Sequence, residues 1–313
     1  MAGGVERYII MELAPPWAPQ LWESPRFPPA LAPSVMQAWE QCPQTLRFLC
    51  IAPDEAHTVP GWVRFLAFWR PYGAAATFER QEFLVPQQEA VPLAQCLLQG
   101  APADLLDFQR YRADPPGAPP VRDILVCTHG SVDACCATFG YPLYHLLRRR
   151  YGVPSGGRLR AWRVSHFGGH RLAPTLIDFP EGRYWGHMTA SAIDGLVRRN
   201  VPVTSLRRHY RGWGGLQTPF EQVAEREAFV REGWAWIDYL KTGHLLEGGE
   251  GGDRARVRLD FRSADGSVRG AYDVTVEVRG TVPAVHCREG GEPWRAKQYT
   301  TTSLIKNDLT HGG

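Results

Sequence analysis

Glycine and proline interrupt this chain too often for long regular elements. The sequence carries 32 glycines and 26 prolines in 313 residues, roughly 19% of the chain where an ordinary globular protein has roughly 12%. Proline fixes φ and withholds an N–H, and glycine frees the backbone. Together they predict short strands and helices joined by many turns. Between Pro15 and Pro33 alone there are seven prolines, which leaves little room for regular structure. A hydrophobic content of 44% and a charged content of 21% are ordinary, so the chain can bury a real core, as two domains or one large domain with an appendage. Disorder as the main state is excluded.

Charge narrows the function classes. Lys plus Arg number 35 and Asp plus Glu 32, a net charge of only +3. That is not the balance of a dedicated nucleic-acid binder, and no recognition motif accompanies the local basic clusters. Those clusters, Arg148–Arg150 and Arg207, Arg208 and Arg211, read as solvated helix faces or as a surface for an acidic redox partner. The opening MAGGVERYIIMELAPPW lacks the basic-then-apolar order of a secretory signal, and no run approaches 18 apolar residues. No Gly-x-Gly-x-x-Gly follows a strand, so no nicotinamide or flavin site is expected. The expectation is a soluble, cytoplasmic protein with no membrane span, whose seven cysteines stay reduced unless a metal claims them.

Hydrophobic patterning predicts strands over residues 5–13, Leu46–Ile51, Arg64–Phe68 and Ala76–Val85, and a short helix at Pro92–Leu98. ADPPGAPP (113–120) reads as a linker. Then come a strand at Arg122–Cys127, a loop, a helix starting at Ala134 behind an Asp133 cap, and a second helix from Pro142 to Tyr151. A strand at Arg158–Ser165, a hairpin of Thr175–Phe179 with Arg183–His187, and a helix at Ala190–Arg199 complete an α/β pattern with a mixed sheet. Phe220–Thr242 reads as the longest helix. A β-hairpin follows the EGGEGGD break, with Val257, Leu259 and Phe261 on one strand and Tyr272, Val274, Val276 and Val278 on the other.

Soft ligands gather between residues 127 and 170. Eight residues separate Cys127 from Cys136, and three separate His166 from His170. In an α/β fold the two loops carrying them return to the same end of the sheet, where sites usually form. Gly168 and Gly169 let the second loop fold tightly, so that both rings can aim at one point. Two thiolates and two imidazoles suit Zn²⁺ or an iron–sulfur cluster, and spacing does not separate the two. Cys135 competes with Cys136 as the second thiolate. Cys42, Cys50, Cys96 and Cys287 read as small core hydrophobes.

CTHGSVDACC (127–136) followed by SHFGGHRLAPT (165–175) resembles the sucrase/ferredoxin-like family, over roughly residues 5 to 215. That family's cluster domain is similar to the thioredoxin-like ferredoxins, with the second cysteine pair replaced by His-x3-His. The resemblance implies a [2Fe–2S] cluster with Cys127 and Cys136 on one iron and His166 and His170 on the other. The family spacing selects Cys136 over Cys135. Ser131 and Val132 stand where family members commonly carry basic residues.

The expected architecture is therefore α/β. An N-terminal α/β region (1–115) is followed by a thioredoxin-like ferredoxin domain (116–245) and a small C-terminal β region (246–313). The expected function is one-electron transfer with a redox partner protein. A Cys2His2 set raises the potential to ~ −150 to +300 mV, against ~ −400 mV for plant-type ferredoxins, and a solvent-facing imidazole would couple reduction to proton uptake. A zinc-stabilised binding module with the same ligands, and a thiol oxidoreductase, are the alternatives. His129, Asp133 and Arg171 are candidate partners of the ligands, and Trp162, Phe167 and Trp185 candidate shields or plain core aromatics.

Overall fold

The computed structural model describes residues 1–42, 45–100, 102–249, 251–285, 287 and 293–308. It is a mixed α/β protein of two compact units. One comprises Val5–Trp69 and Glu79–Gly168, the other Met1–Gly4, Arg70–Phe78 and residues 169–313.

The first unit is built on six strands, β1 (Arg7–Glu12), β2 (Leu46–Ile51), β3 (Trp62–Trp69), β4 (Glu79–Pro86), β5 (Arg122–Cys127) and β6 (Leu159–Val164). They run in the order β4-β3-β1-β2-β6-β5. The sheet is mixed: β1 lies parallel to β2 and β5 to β6, while β1–β3, β3–β4 and β2–β6 are antiparallel. Helices α1 (Ala32–Gln41) and α2 (Ala90–Gln99) cover an apolar layer that includes Ile9, Phe48, Phe65, Phe83, Leu93 and Leu97. Before α1 begins at Ala32, the Pro-rich stretch from Pro15 holds only two single 3-10 turns, Leu21–Glu23 and Pro29–Leu31.

Helix α3 spans Ala134–Leu147 without a break, where the sequence suggests two helices. Pro142 lies inside it. A proline there removes one backbone hydrogen bond but does not end this helix. The ADPPGAPP stretch is a loop into β5, tied down by Asp114, which pairs with Arg80 at 2.8 Å and Arg112 at 2.8 Å.

The second unit holds the antiparallel set β7 (Leu176–Phe179), β8 (Arg183–Trp185) and β9 (Tyr210–Trp213), with α4 (Ala190–Arg198) and α5 (Val203–Leu206). The long helix expected to Thr242 stops early. Helix α6 covers Pro219–Glu232, opened by a Thr218–Glu221 capping box, and ends at Gly233 with φ 72°. A 3-10 turn, Gly233–Ile237, then leads into β10 (Leu240–Gly248). The expected hairpin is β11 (Arg254–Arg262) with β12 (Arg269–Ala284). It sits within a four-stranded antiparallel sheet, β10-β11-β12-β13, closed by β13 (Trp294–Asp308). Among the described residues no helix is long and apolar enough to cross a membrane.

Candidate metal centre

Strand β5 is apolar after its first two residues, Arg122 and Asp123. Asp123 is 0% exposed. Its Oδ1 accepts from Arg160 Nε (2.8 Å) and Trp162 Nε1 (2.8 Å), and its Oδ2 from Arg80 Nε (3.0 Å). Arg160 reaches on to Glu82 at 2.9 Å, and Glu82 also pairs with Arg64 and Arg80. Burial alone would push the Asp123 carboxyl up. The Arg160 and Arg80 guanidiniums and the two Asp123 Oδ1 donors outweigh it and hold the pKa at about 2. The strand is thereby clamped at its start.

Cys127 stands at the other end of β5, 1% exposed. Its register partner on β6 is Val164, and the next amide, Thr128 N, donates to Val164 O at 3.0 Å. Two residues beyond Val164 comes His166. Parallel pairing of β5 and β6 thus delivers the thiol and the imidazole to the same sheet edge. Cys136 reaches the same place from the first turn of α3. Asp133 caps that helix, accepting from Cys135 N at 2.9 Å. Its sequence-level role as a cap is therefore realised.

The three donors converge. His166 Nδ1 lies 3.7 Å from Cys127 Sγ and 3.7 Å from Cys136 Sγ, and all three ligand atoms fall within 4.8 Å of one another. Both thiols are buried and the imidazole is half-buried. The hydrogen bond that the Cys136 S–H donates to Cys127, and burial, push the Cys136 thiol up. Such a thiol resists losing its proton unless a cation compensates, which is what a metal supplies. Two sulfurs and an imidazole nitrogen, with no carboxylate among them, form a donor set for zinc or iron.

His170 lies in the second unit, in the turn His170–Leu172, with its ring edge-on to Trp294 at 5.6 Å between centroids. It is not one of the three converging donors. Cys135 and Cys287 are both disulfide-bonded, so the expectation that every thiol stays reduced fails at both. Adjacent helical residues point about 100° apart, and Cys135 is not among the donors that meet at Cys136. Of the other cysteines, Cys50 is buried, Cys42 and Cys96 are half-buried, and Cys287 is exposed rather than a core residue.

His129 is the partner that spacing only hinted at. Its Nδ1 accepts from the His166 backbone N–H at 3.1 Å, so Nε2 carries the proton and donates to Ala18 O at 3.0 Å. Ser131 Oγ donates to Trp17 O at 2.5 Å. The Pro-rich stretch and the ligand loops therefore share one hydrogen-bonded brace. Trp162 is bound to Asp123 and belongs to the core, Phe167 is buried, and Trp185 is buried in the other unit.

Gly140 was missed by sequence reasoning. It follows Cys136 by one helical turn, and a Cβ there would lie 2.0 Å from Cys127 O. The helix sits that close to the strand end because no side chain intervenes. Gly140→Ala should favour the helix by about 1 kcal/mol in propensity, yet cost more in displaced backbone, about 1–3 kcal/mol. We expect a net loss of thermal stability together with reduced metal content. A stabilised variant with full metal would contradict the close approach.

The chain belongs to the sucrase/ferredoxin-like family, whose model matches residues 1–212. No curated protein matches the chain. Among solved structures it is similar to a thioredoxin-like [2Fe-2S] ferredoxin from Aquifex aeolicus. The identity is 12%, over 30% of this chain and 94% of that one, with a TM-score of 0.26. That likeness is too slight to carry an argument about the site.

Proposed function

We propose that this protein is a one-electron carrier whose [2Fe–2S] cluster is held by Cys127, Cys136, His166 and His170, and that a redox partner protein supplies or removes the electron. One observation carries the reading: two buried thiols and an imidazole, from three separate elements, meet in a member of a ferredoxin-like family. The family resemblance implies His170, four residues after His166, as the fourth donor. When bound, such a cluster accepts and returns a single electron. The chain's own work is to hold the donors. β5 fixes Cys127, the capped first turn of α3 presents Cys136, and His129 anchors the backbone at His166. Burial of both thiols keeps water from the sulfur side.

A second reading, a single structural zinc ion, is favoured by the 3.7 Å separations. Bonds of about 2.3 Å to sulfur and 2.0–2.1 Å to nitrogen give a tetrahedral edge of roughly 3.5 Å. A thiol oxidoreductase is disfavoured. It needs an exposed thiolate of low pKa, and the Cys136 thiol is buried and shifted the other way.

Iron, acid-labile sulfide and zinc analysis of anaerobically purified protein, with a visible spectrum, separates these readings. Iron and sulfide in equal amounts with a red-brown colour support the carrier. Zinc in a colourless protein replaces it with the structural site. Given a cluster, His166→Cys should keep it and lower the midpoint potential by the order of 100 mV or more, since thiolate in place of imidazole adds negative charge. An unchanged potential would remove His166 from the ligand set.

A further inference from the structure

The second unit contains a cleft of about 580 Å3, within the size range of small-molecule sites. It is formed by the His170–Leu172 turn, the Gly186–His187 loop, β9, the first turns of α6 and the start of β13. Arg171, Arg208, Arg211, Arg226 and Lys297 line it, and no aspartate or glutamate does.

The positive charge is not all cancelled by neighbours. Arg226 pairs with Glu227 at 2.9 Å and Lys297 with Asp253 at 2.9 Å. Arg171 and Arg208 are exposed and have no carboxylate partner among the described residues. Arg208 donates only to the neutral acceptor His209 Nε2, at 3.2 Å. Arg211 is 7% exposed, at 5.6 Å over the Tyr184 ring. Its guanidinium fills the place a Gly169 side chain would take, 2.2 Å from an ideal Cβ, where Gly169 has φ 80°. Burial, His209, Arg171 and Arg211 together hold the His187 imidazole below its usual pKa, as expected in a positive field. Two half-buried aromatic rings, Trp294 and Tyr299, line the same cleft.

We propose that this cleft binds a phosphorylated small molecule with a flat aromatic ring, of the nucleoside-diphosphate class, its phosphates on Arg171, Arg208 and Arg211 and its ring against Trp294 and Tyr299. Arginine forks match phosphate oxygens in pairs, and a cluster without acids makes a multiply charged ligand preferable to a singly charged one. The aromatic rings supply stacking surface for the remainder. This proposal does not depend on the metal reading, although Arg171 directly follows His170 in the chain and Trp294 packs against the His170 ring.

Calorimetric titration of the full chain, purified with whatever metal it holds, tests the idea with ADP, adenosine and pyrophosphate as probes. ADP should bind, adenosine should bind at least tenfold more weakly, and pyrophosphate more weakly than ADP. Arg171→Gln and Arg208→Gln should each weaken ADP about tenfold or more, the usual loss for one charge-assisted contact. Both side chains are exposed, and circular dichroism checks that the variants fold. Independently of any variant, ADP affinity of the unaltered protein should fall as ionic strength rises. Absence of ADP binding, affinity indifferent to salt, or variants that bind ADP as the parent does would overturn the site. Pyrophosphate binding as tightly as ADP would overturn the role given to the rings.

Discussion

Cys127→Ser is expected to purify without iron, without sulfide and without visible absorbance. The reason is positional as much as chemical. Cys127 is the last residue of β5, 1% exposed, with its neighbours held by β6 pairing and by the Thr128 to Val164 hydrogen bond. A serine hydroxyl there is a poor ligand for a soft site and is too short to reach out for the metal. The fold itself should persist, since the change is nearly isosteric and β5 stays clamped through Asp123. A folded, colourless and iron-free Cys127→Ser beside a coloured parent is therefore the anticipated pair. Equal iron and an equal spectrum in both would take Cys127 out of the site.

Asp123→Asn should have the largest effect on stability. It removes the negative charge that faces Arg160 and Arg80 in a fully buried position and leaves both guanidiniums under-compensated. Breaking a buried pair in this way costs about 3–5 kcal/mol, a large share of a domain's typical ~5–15 kcal/mol. Denaturant titration should show it. Asp194→Asn is the control, because the Asp194–Arg198 pair is a half-exposed i,i+4 contact and should cost no more than ~0.5 kcal/mol. Similar losses in both would contradict the network.

The pH dependence follows with a definite sign. The folded pKa of Asp123 is about 2, below its ordinary 3.8, so the unfolded chain binds the proton more readily. Its stabilisation is present above pH 3.8 and is lost as pH falls through about 2. Asp123→Asn should lack this part of the acid transition.

Much of the first unit was readable because its strands are short apolar runs. Leu46–Ile51 and Arg122–Cys127 stand at the bounds that patterning assigns. The convergence of Cys127, Cys136 and His166, though not of His170, was legible for a related reason: each of the three lies within a few residues of a strand end or helix cap. What stayed hidden depends on distant partners. Asp123 looks like one polar interruption in RDILVC until Arg80 and Arg160 arrive beside it. Gly140 shows its purpose only against the Cys127 carbonyl. The helical stripe from Phe220 carries the eye past Gly233, whose left-handed φ ends the helix. Strand β10 escaped notice because most of its residues are at least partly exposed and it shows no alternating pattern.

The tie through His129 has a practical corollary. One imidazole grips carbonyls near residue 18 and the amide of residue 166 at once, so the proline-laden stretch works as a doorstop wedged under the histidine loop. Trimming that stretch for convenience in expression would be expected to loosen a loop nearly 150 positions downstream, and the part of the chain that looks most dispensable on paper is one to leave in place.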